Sequence, residues 1–127
     1  MSEMHGTVHW TELNTHNIKA AKAYYADVCG WSFDTMPMEG EGEYTVGRLG
    51  EQMVAGLFDI SAIPEMKDIP SHWLTYLAVD DVDAAVSATK AMGGQVYREP
   101  WDISGVGRIA IVADPSGASF GLMTPSD

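Results

Sequence analysis

The sequence predicts an α+β fold made of two βαβββ modules, and three observations predict it. The chain repeats itself, each repeat opens on a residue-by-residue apolar alternation, and each alternation is followed by a helical stripe and then three more alternating runs. Displaced by 64 residues, Trp10-Thr11-Glu12-Leu13 falls on Leu74-Thr75-Tyr76-Leu77. Ile18 then falls on Val82, Ala20-Ala21 on Ala84-Ala85, Gly30 on Gly94 and Phe33 on Tyr97. One residue further on, Val54-Ala55-Gly56-Leu57-Phe58 falls on Ser119-Phe120-Gly121-Leu122-Met123. Self-similarity at a fixed displacement marks two copies of one structural unit.

Module one spans about residues 5–60 and opens with a strand at His9–Leu13, whose period of two places alternate residues on opposite faces. Asn17 is placed to cap a helix over Ile18–Cys29, with Ile18, Ala21, Tyr25 and Val28 on one stripe and Gly30 at its end. Strands follow at Trp31–Met36, Glu43–Leu49 and Met53–Asp59. Residues 60–71 form a linker, which Pro64 and Pro70 keep out of regular structure. Module two spans about 72–127. It has a strand at Trp73–Val79, a helix capped by Asp80 or Asp81 over Val82–Met92 and ended by Gly93-Gly94, and strands at Gln95–Glu99, Arg108–Ala113 and Ala118–Met123. Asp114-Pro115-Ser116-Gly117 makes the tight turn between the last two.

The whole is one domain of 127 residues, with 46% hydrophobic and 20% charged residues, a composition that fills a core. Seven Lys and Arg against eighteen Asp and Glu give a net charge of −11, which disfavours nucleic acid and anionic membranes and suits a neutral or cationic ligand. The single cysteine, Cys29, has no partner for an internal disulfide, and packing is its expected role. Met1 to His5 lacks the basic start and apolar stretch of a signal peptide, so the cytoplasm is the expected location.

The order strand, helix, three strands, repeated, resembles the glyoxalase, bleomycin-resistance and extradiol-dioxygenase superfamily, also called the vicinal oxygen chelate family. The carriers are Trp10-Thr-Glu-Leu13, Ala20-Ala-Lys-Ala-Tyr-Tyr25 closing on Val28-Cys-Gly-Trp31, Ala78-Val-Asp-Asp-Val-Asp-Ala84, and Asp114-Pro-Ser-Gly117 before Phe120-Gly-Leu-Met123. The first looks most like the glyoxalase-like, Cfp30-type branch. The resemblance implies an eight-stranded, cupped, incomplete barrel with helices outside, a homodimer, and metal ligands on the first and fourth strands of each half. Those four positions fall on Trp10, Gly56, Leu74 and Gly121. None offers the imidazole or carboxylate donor that a divalent ion takes at about 2.0–2.3 Å. No metal and no cofactor is therefore expected.

If position 10 faces the cup, Glu12 does too, and the matching strand turns Leu74, Tyr76 and Ala78 the same way. Phe58 beside Gly56, and Ser119 and Met123 beside Gly121, complete an aromatic hollow with one carboxylate, and parity turns Trp73 toward the helices. The expected ligand-binding set is Trp10, Glu12, Gly56, Phe58, Leu74, Tyr76, Arg108, Gly121 and Met123. Trp10 and Tyr76 can sandwich a flat or cationic group. Glu12 is the candidate catalytic residue, as a base or as an anchor for an amine or hydroxyl, with a buried structural partner as the third role. Arg108 is placed to pair with Glu12 or hold a carboxylate at the mouth. His5, His9, His16 and His72 form no site by spacing.

Three functions compete on these residues. The first is a metal-independent protein that binds a neutral or cationic small molecule. The second is a lyase, isomerase or dioxygenase type of enzyme using Glu12 or an unconventional metal site. The third is an interaction module.

Overall fold

A computed structural model describes residues 3–38, 42–103 and 106–126. Contacts divide the chain into two compact units, Thr11–Trp73 and the remainder, in which residues up to Trp10 join those from Leu74 onward. Each has the predicted α+β composition.

The Thr11–Trp73 unit holds most of β1 (Val8–Thr15), then α1 (Ile18–Cys29), β2 (Ser32–Met38), β3 (Gly42–Leu49) and β4 (Gln52–Asp59). The three later strands run antiparallel in sequence order, and β1 adds to β4 in parallel. Asn17 caps α1 as predicted, its side chain accepting from the Ala20 N–H at 3.0 Å, and Gly30 ends it in the left-handed region at φ 75°. One sheet face carries Leu13, Thr45, Gly47, Ala55 and Leu57, which are register partners in sequence. Helix α1 covers it: Lys22 donates to Thr35, whose hydroxyl lies 3.5 Å from that of Thr45. Trp31 stacks on Tyr25 with centroids 5.2 Å apart, and a Cβ at Gly47 would lie 3.0 Å from its ring.

Two expectations fail at this helix. Its predicted stripe is only half-buried, and Val28 is 58% exposed, because the Tyr25–Trp31 stack already covers the sheet at Gly47. Cys29, expected to pack, is exposed at the last helical position. Trp73 does lie on the helix side, donating to the Tyr25 hydroxyl at 3.1 Å. The linker is not wholly irregular, since Pro64–Met66 makes one 3₁₀ turn. His16 and His72 hold its end by ring N–H donation to the carbonyls of Ile69 and Pro70.

The second unit contains β5 (His72–Ala78, from Leu74), α2 (Val82–Ala91), β6 (Gln95–Ile103), β7 (Gly107–Ala113) and β8 (Ser119–Pro125). Strands β6, β7 and β8 are antiparallel neighbours, and β8 pairs with β5 in parallel. This repeats the connectivity of the first unit. Asp81 caps α2 by accepting from the Ala84 N–H at 3.1 Å. Val82 and Val86 are buried against Ala110, Val112 and Leu122, an apolar seam that fixes the helix on its sheet. Thr124 ties the helix start to the strand before it, accepting from Val82 N–H and donating to the Val79 carbonyl. The N-terminal arm belongs here: Gly6 N–H donates to the Ala78 carbonyl and Ala78 N–H to that of Thr7.

Candidate functional site

The repeat gives each unit an equivalent sheet face, and the two differ in chemistry. In the Thr11–Trp73 unit the face opposite α1 is set by register. Glu12 and Val46 both pair with Gly56, and Asn14 and Tyr44 both pair with Phe58. Partners across a ladder point to one side, so these six residues share that face. Val46 and Asn14 are buried at 3% and 5% exposure, whereas Glu12, Tyr44 and Phe58 are half-buried. The Tyr44 and Phe58 rings lie 6.5 Å apart at a tilt of 36°. The result is a carboxylate and an amide on one strand, two rings beside them, and a glycine where a side chain would otherwise fill the face.

In the second unit the corresponding face is apolar. Leu74, Tyr76, Ile109 and Met123 are each 4–5% exposed and form one cluster, against which Trp10, Trp101, Ile103 and Ile111 pack. Tyr76 pairs with Gly121 as Glu12 pairs with Gly56. Its ring lies directly on the glycine, since a Cβ at Gly121 would sit 2.2 Å from the ring. The space left by the missing side chain is therefore filled from within the protein. Arg98 covers the flank, its guanidinium 3.4 Å from the centroid of Trp101.

The predicted residues thus sort into two groups and one outlier. Glu12, Gly56 and Phe58 come together on the first face. Trp10, Leu74, Tyr76, Gly121 and Met123 come together in the second cluster. Arg108 joins neither. It shares a β7 face with Ala110 and Val112, beneath α2, and its guanidinium bonds both carboxylate oxygens of Asp83, at 2.8 and 3.1 Å, and Asp102 at 3.1 Å. The expected pairing with Glu12 is replaced by these two acids, because parity turns Arg108 to the helix side. The hydrogen bonds from Arg108 hold the Asp83 carboxyl below the usual carboxylate range and raise the guanidinium further. Asp114 is likewise lowered, first by the Ser116 hydroxyl and then by the N–H groups of Ala118 and Ser116, which is the chemistry of its turn.

Asn14, Tyr44 and Val46 were not predicted. The alternation that turned Trp10 and Glu12 inward, carried two residues further, would have found Asn14. A separate open groove of about 480 Å³ lies in the second unit between α2 and the Asp114 turn, bordered by Val79, Ala85, Ala88, Met92, Pro115 and Phe120. None of the predicted site residues lines it.

A divalent metal does not fit the four strand positions implied by the resemblance. Trp10, Gly56, Leu74 and Gly121 bring no suitable donor, and the Tyr76 ring fills the space over Gly121. Among the described residues no three His, Cys, Asp or Glu side chains converge. No helix among them is long and apolar enough to cross a membrane.

Comparison with known proteins agrees with this architecture. Residues 7–122 match the sequence profile of the Glyoxalase/Bleomycin resistance protein/Dioxygenase superfamily. The chain is 40% identical over 121 residues to "Putative glyoxylase CFP32" of Mycobacterium bovis, covering 95% of this chain and 45% of that protein. It is 28% identical to the anthracycline biosynthesis protein DnrV of Streptomyces peucetius, covering 92% of this chain and 46% of that one. It therefore spans about half the length of these curated relatives. Among solved structures, methylmalonyl-CoA epimerase from Mycobacterium tuberculosis superposes with a TM-score of 0.64 at 15% identity, over 100% of this chain and 93% of that one. A hypothetical protein of Bacillus halodurans gives 0.71 at 11% identity, over 96% of each chain. At such identities the structural matches speak to fold alone.

Proposed function

Because the chain belongs to the Glyoxalase/Bleomycin resistance protein/Dioxygenase superfamily, we propose that it binds a neutral or cationic small molecule, without a metal ion, on the Glu12–Gly56 face of its first half. The observation that carries this reading is the contrast between the repeats. The Tyr76 ring lies on Gly121, while the residue in the place of Tyr76 beside Gly56 is a carboxylate, with the rings of Tyr44 and Phe58 one register step away. Glu12 is a half-buried acceptor on this face, suited to an amine or hydroxyl of a flat ligand, and Phe58 and Tyr44 supply ring contact worth about 0.5–1.5 kcal/mol beyond burial. Trp10, Leu74, Tyr76, Gly121 and Met123 form the firm apolar half of the scaffold in this reading, and Arg108 serves to hold α2. The acidic surface supports a cationic ligand over an anionic one.

The reading includes a cytoplasmic homodimer. Strands β2 and β6 each end the ladder of their own unit, and such edges favour pairing between copies. The test is thermal stability against a panel of flat amines, phenols and carboxylates. Amines and phenols are expected to raise Tm in the wild type, and Glu12→Gln is expected to abolish the response to amines. A panel in which only carboxylates stabilise would overturn the reading.

The name of the 40%-identical relative favours a second reading, an enzyme of lyase or isomerase type in which Glu12 moves a proton. Glu12→Gln would then lower kcat while leaving affinity for the same compound near wild type.

A further inference from the structure

Asn14 has no role in the foregoing account, and its situation is unusual. The residue is 5% exposed, yet no hydrogen bond holds its side-chain amide among the described residues, and neither amide atom is sealed from solvent. Its backbone belongs to the ladder between β1 and β4, so its place is fixed by strand register. An amide can offer two donors and two acceptor sites; here no protein group answers them and only their narrow opening to solvent does, in a position where an apolar side chain would pack without that need. Leu13 and Thr15, its neighbours, show the alternatives: one is apolar core and the other accepts from the Asn17 N–H.

We propose that Asn14 is a second polar contact for the bound molecule, acting with Glu12. The inference rests on the binding reading and sharpens its substrate class. Residues 12 and 14 are two apart on one strand, so their side chains leave the same face about 6.5 Å apart. A ligand that meets both carries two hydrogen-bonding substituents on opposite sides of a ring or fused ring pair. The group at Glu12 is a donor, an amine or hydroxyl. The group at Asn14 is a hydroxyl or carbonyl, which an amide can answer in either sense. Phe58, register partner of Asn14, and Tyr44 beside it lie against the ring between them.

The probe is 6-amino-2-naphthol, with 2-naphthol and 2-aminonaphthalene as single-group controls, titrated by NMR against wild type, Asn14→Ala and Glu12→Gln. Wild type is expected to prefer the two-group probe, with shifts centred on β1 and β4. Asn14→Ala is expected to weaken that probe about threefold to tenfold, the worth of one net hydrogen bond, and to leave the aminonaphthalene unchanged. Equal loss for all three compounds, or an unchanged two-group preference, would overturn the role of Asn14 while the Glu12 reading stands. Failure of all three to shift this face in wild type defeats both. A ligand-free measurement runs alongside. Asn14→Leu is expected to keep or raise Tm, because an amide retained for binding is a burden on the fold. A drop of several degrees identifies the amide as structural instead.

Discussion

A glycine in a strand says that a side chain is missing and leaves open what takes its place. At Gly121 the answer is the ring of Tyr76, close enough that any Cβ must displace it. Gly121→Ala is expected to cost about 1–3 kcal/mol by overpacking. The same change in a Tyr76→Leu background is expected to cost less, because the ring that it collides with is gone. Urea midpoints of the four proteins check this, and additive costs would show that the contact is not the cause. This residue pair also marks the limit of what the sequence made legible at the site. The repeat and strand parity were enough to bring Glu12 beside Gly56 and Tyr76 beside Gly121. They were not enough to show that the Tyr76 ring covers Gly121, since that depends on the rotamer of a neighbour. Nearness to a strand end points Arg108 to the mouth, but alternation with Ile109 and Ile111 on β7 turns it to the helix side, where it meets Asp83.

The two helices repeat one another in sequence and differ in how they are held. Both start at a side-chain cap, Asn17 or Asp81, and both were legible to within a residue or so, because caps and terminal glycines are local chemistry. Depth of burial is not local. The stripe of α1 contains Ala21 and the bulky Tyr25, and none of its residues is buried, whereas α2 drives Val82 and Val86 into its sheet. Helix stability in a folded protein derives mainly from such a face. Backbone amides of α1 are therefore expected to exchange with solvent hydrogen faster than those of α2 at equal pH, through openings that leave α2 intact. Equal protection in the two helices would mean that the aromatic stack at Tyr25 and Trp31 anchors α1 as firmly as the valines anchor α2.

At the scale of the molecule, the repeat predicted both modules, but the boundary between units is set by backbone bonds that the repeat does not encode. Gly6 and Thr7 pair with Ala78, which brings the start of the chain into the second unit. Charge is the other whole-molecule property, and its effect on stability has a definite sign. With a net charge of −11 the folded chain repels itself at neutral pH, so added salt is expected to raise Tm there. Asp83 and Asp114 act in the opposite direction to that repulsion. Their carboxyls titrate lower in the folded protein than in the unfolded chain, so their contribution is complete above the ordinary carboxylate pKa of about 4 and is lost as pH falls through the folded values. Asp83→Asn removes one of them, together with the anchor of Arg108 on α2. The variant is expected to melt below wild type at pH 7, and the gap is expected to narrow as pH is lowered from 5 to 3, because wild-type Asp83 is then losing the same charge. Melting curves across that range decide the matter: a gap that stays constant would show that the ion pair with Arg108 contributes nothing, and that the loss arises from the side chain's shape alone.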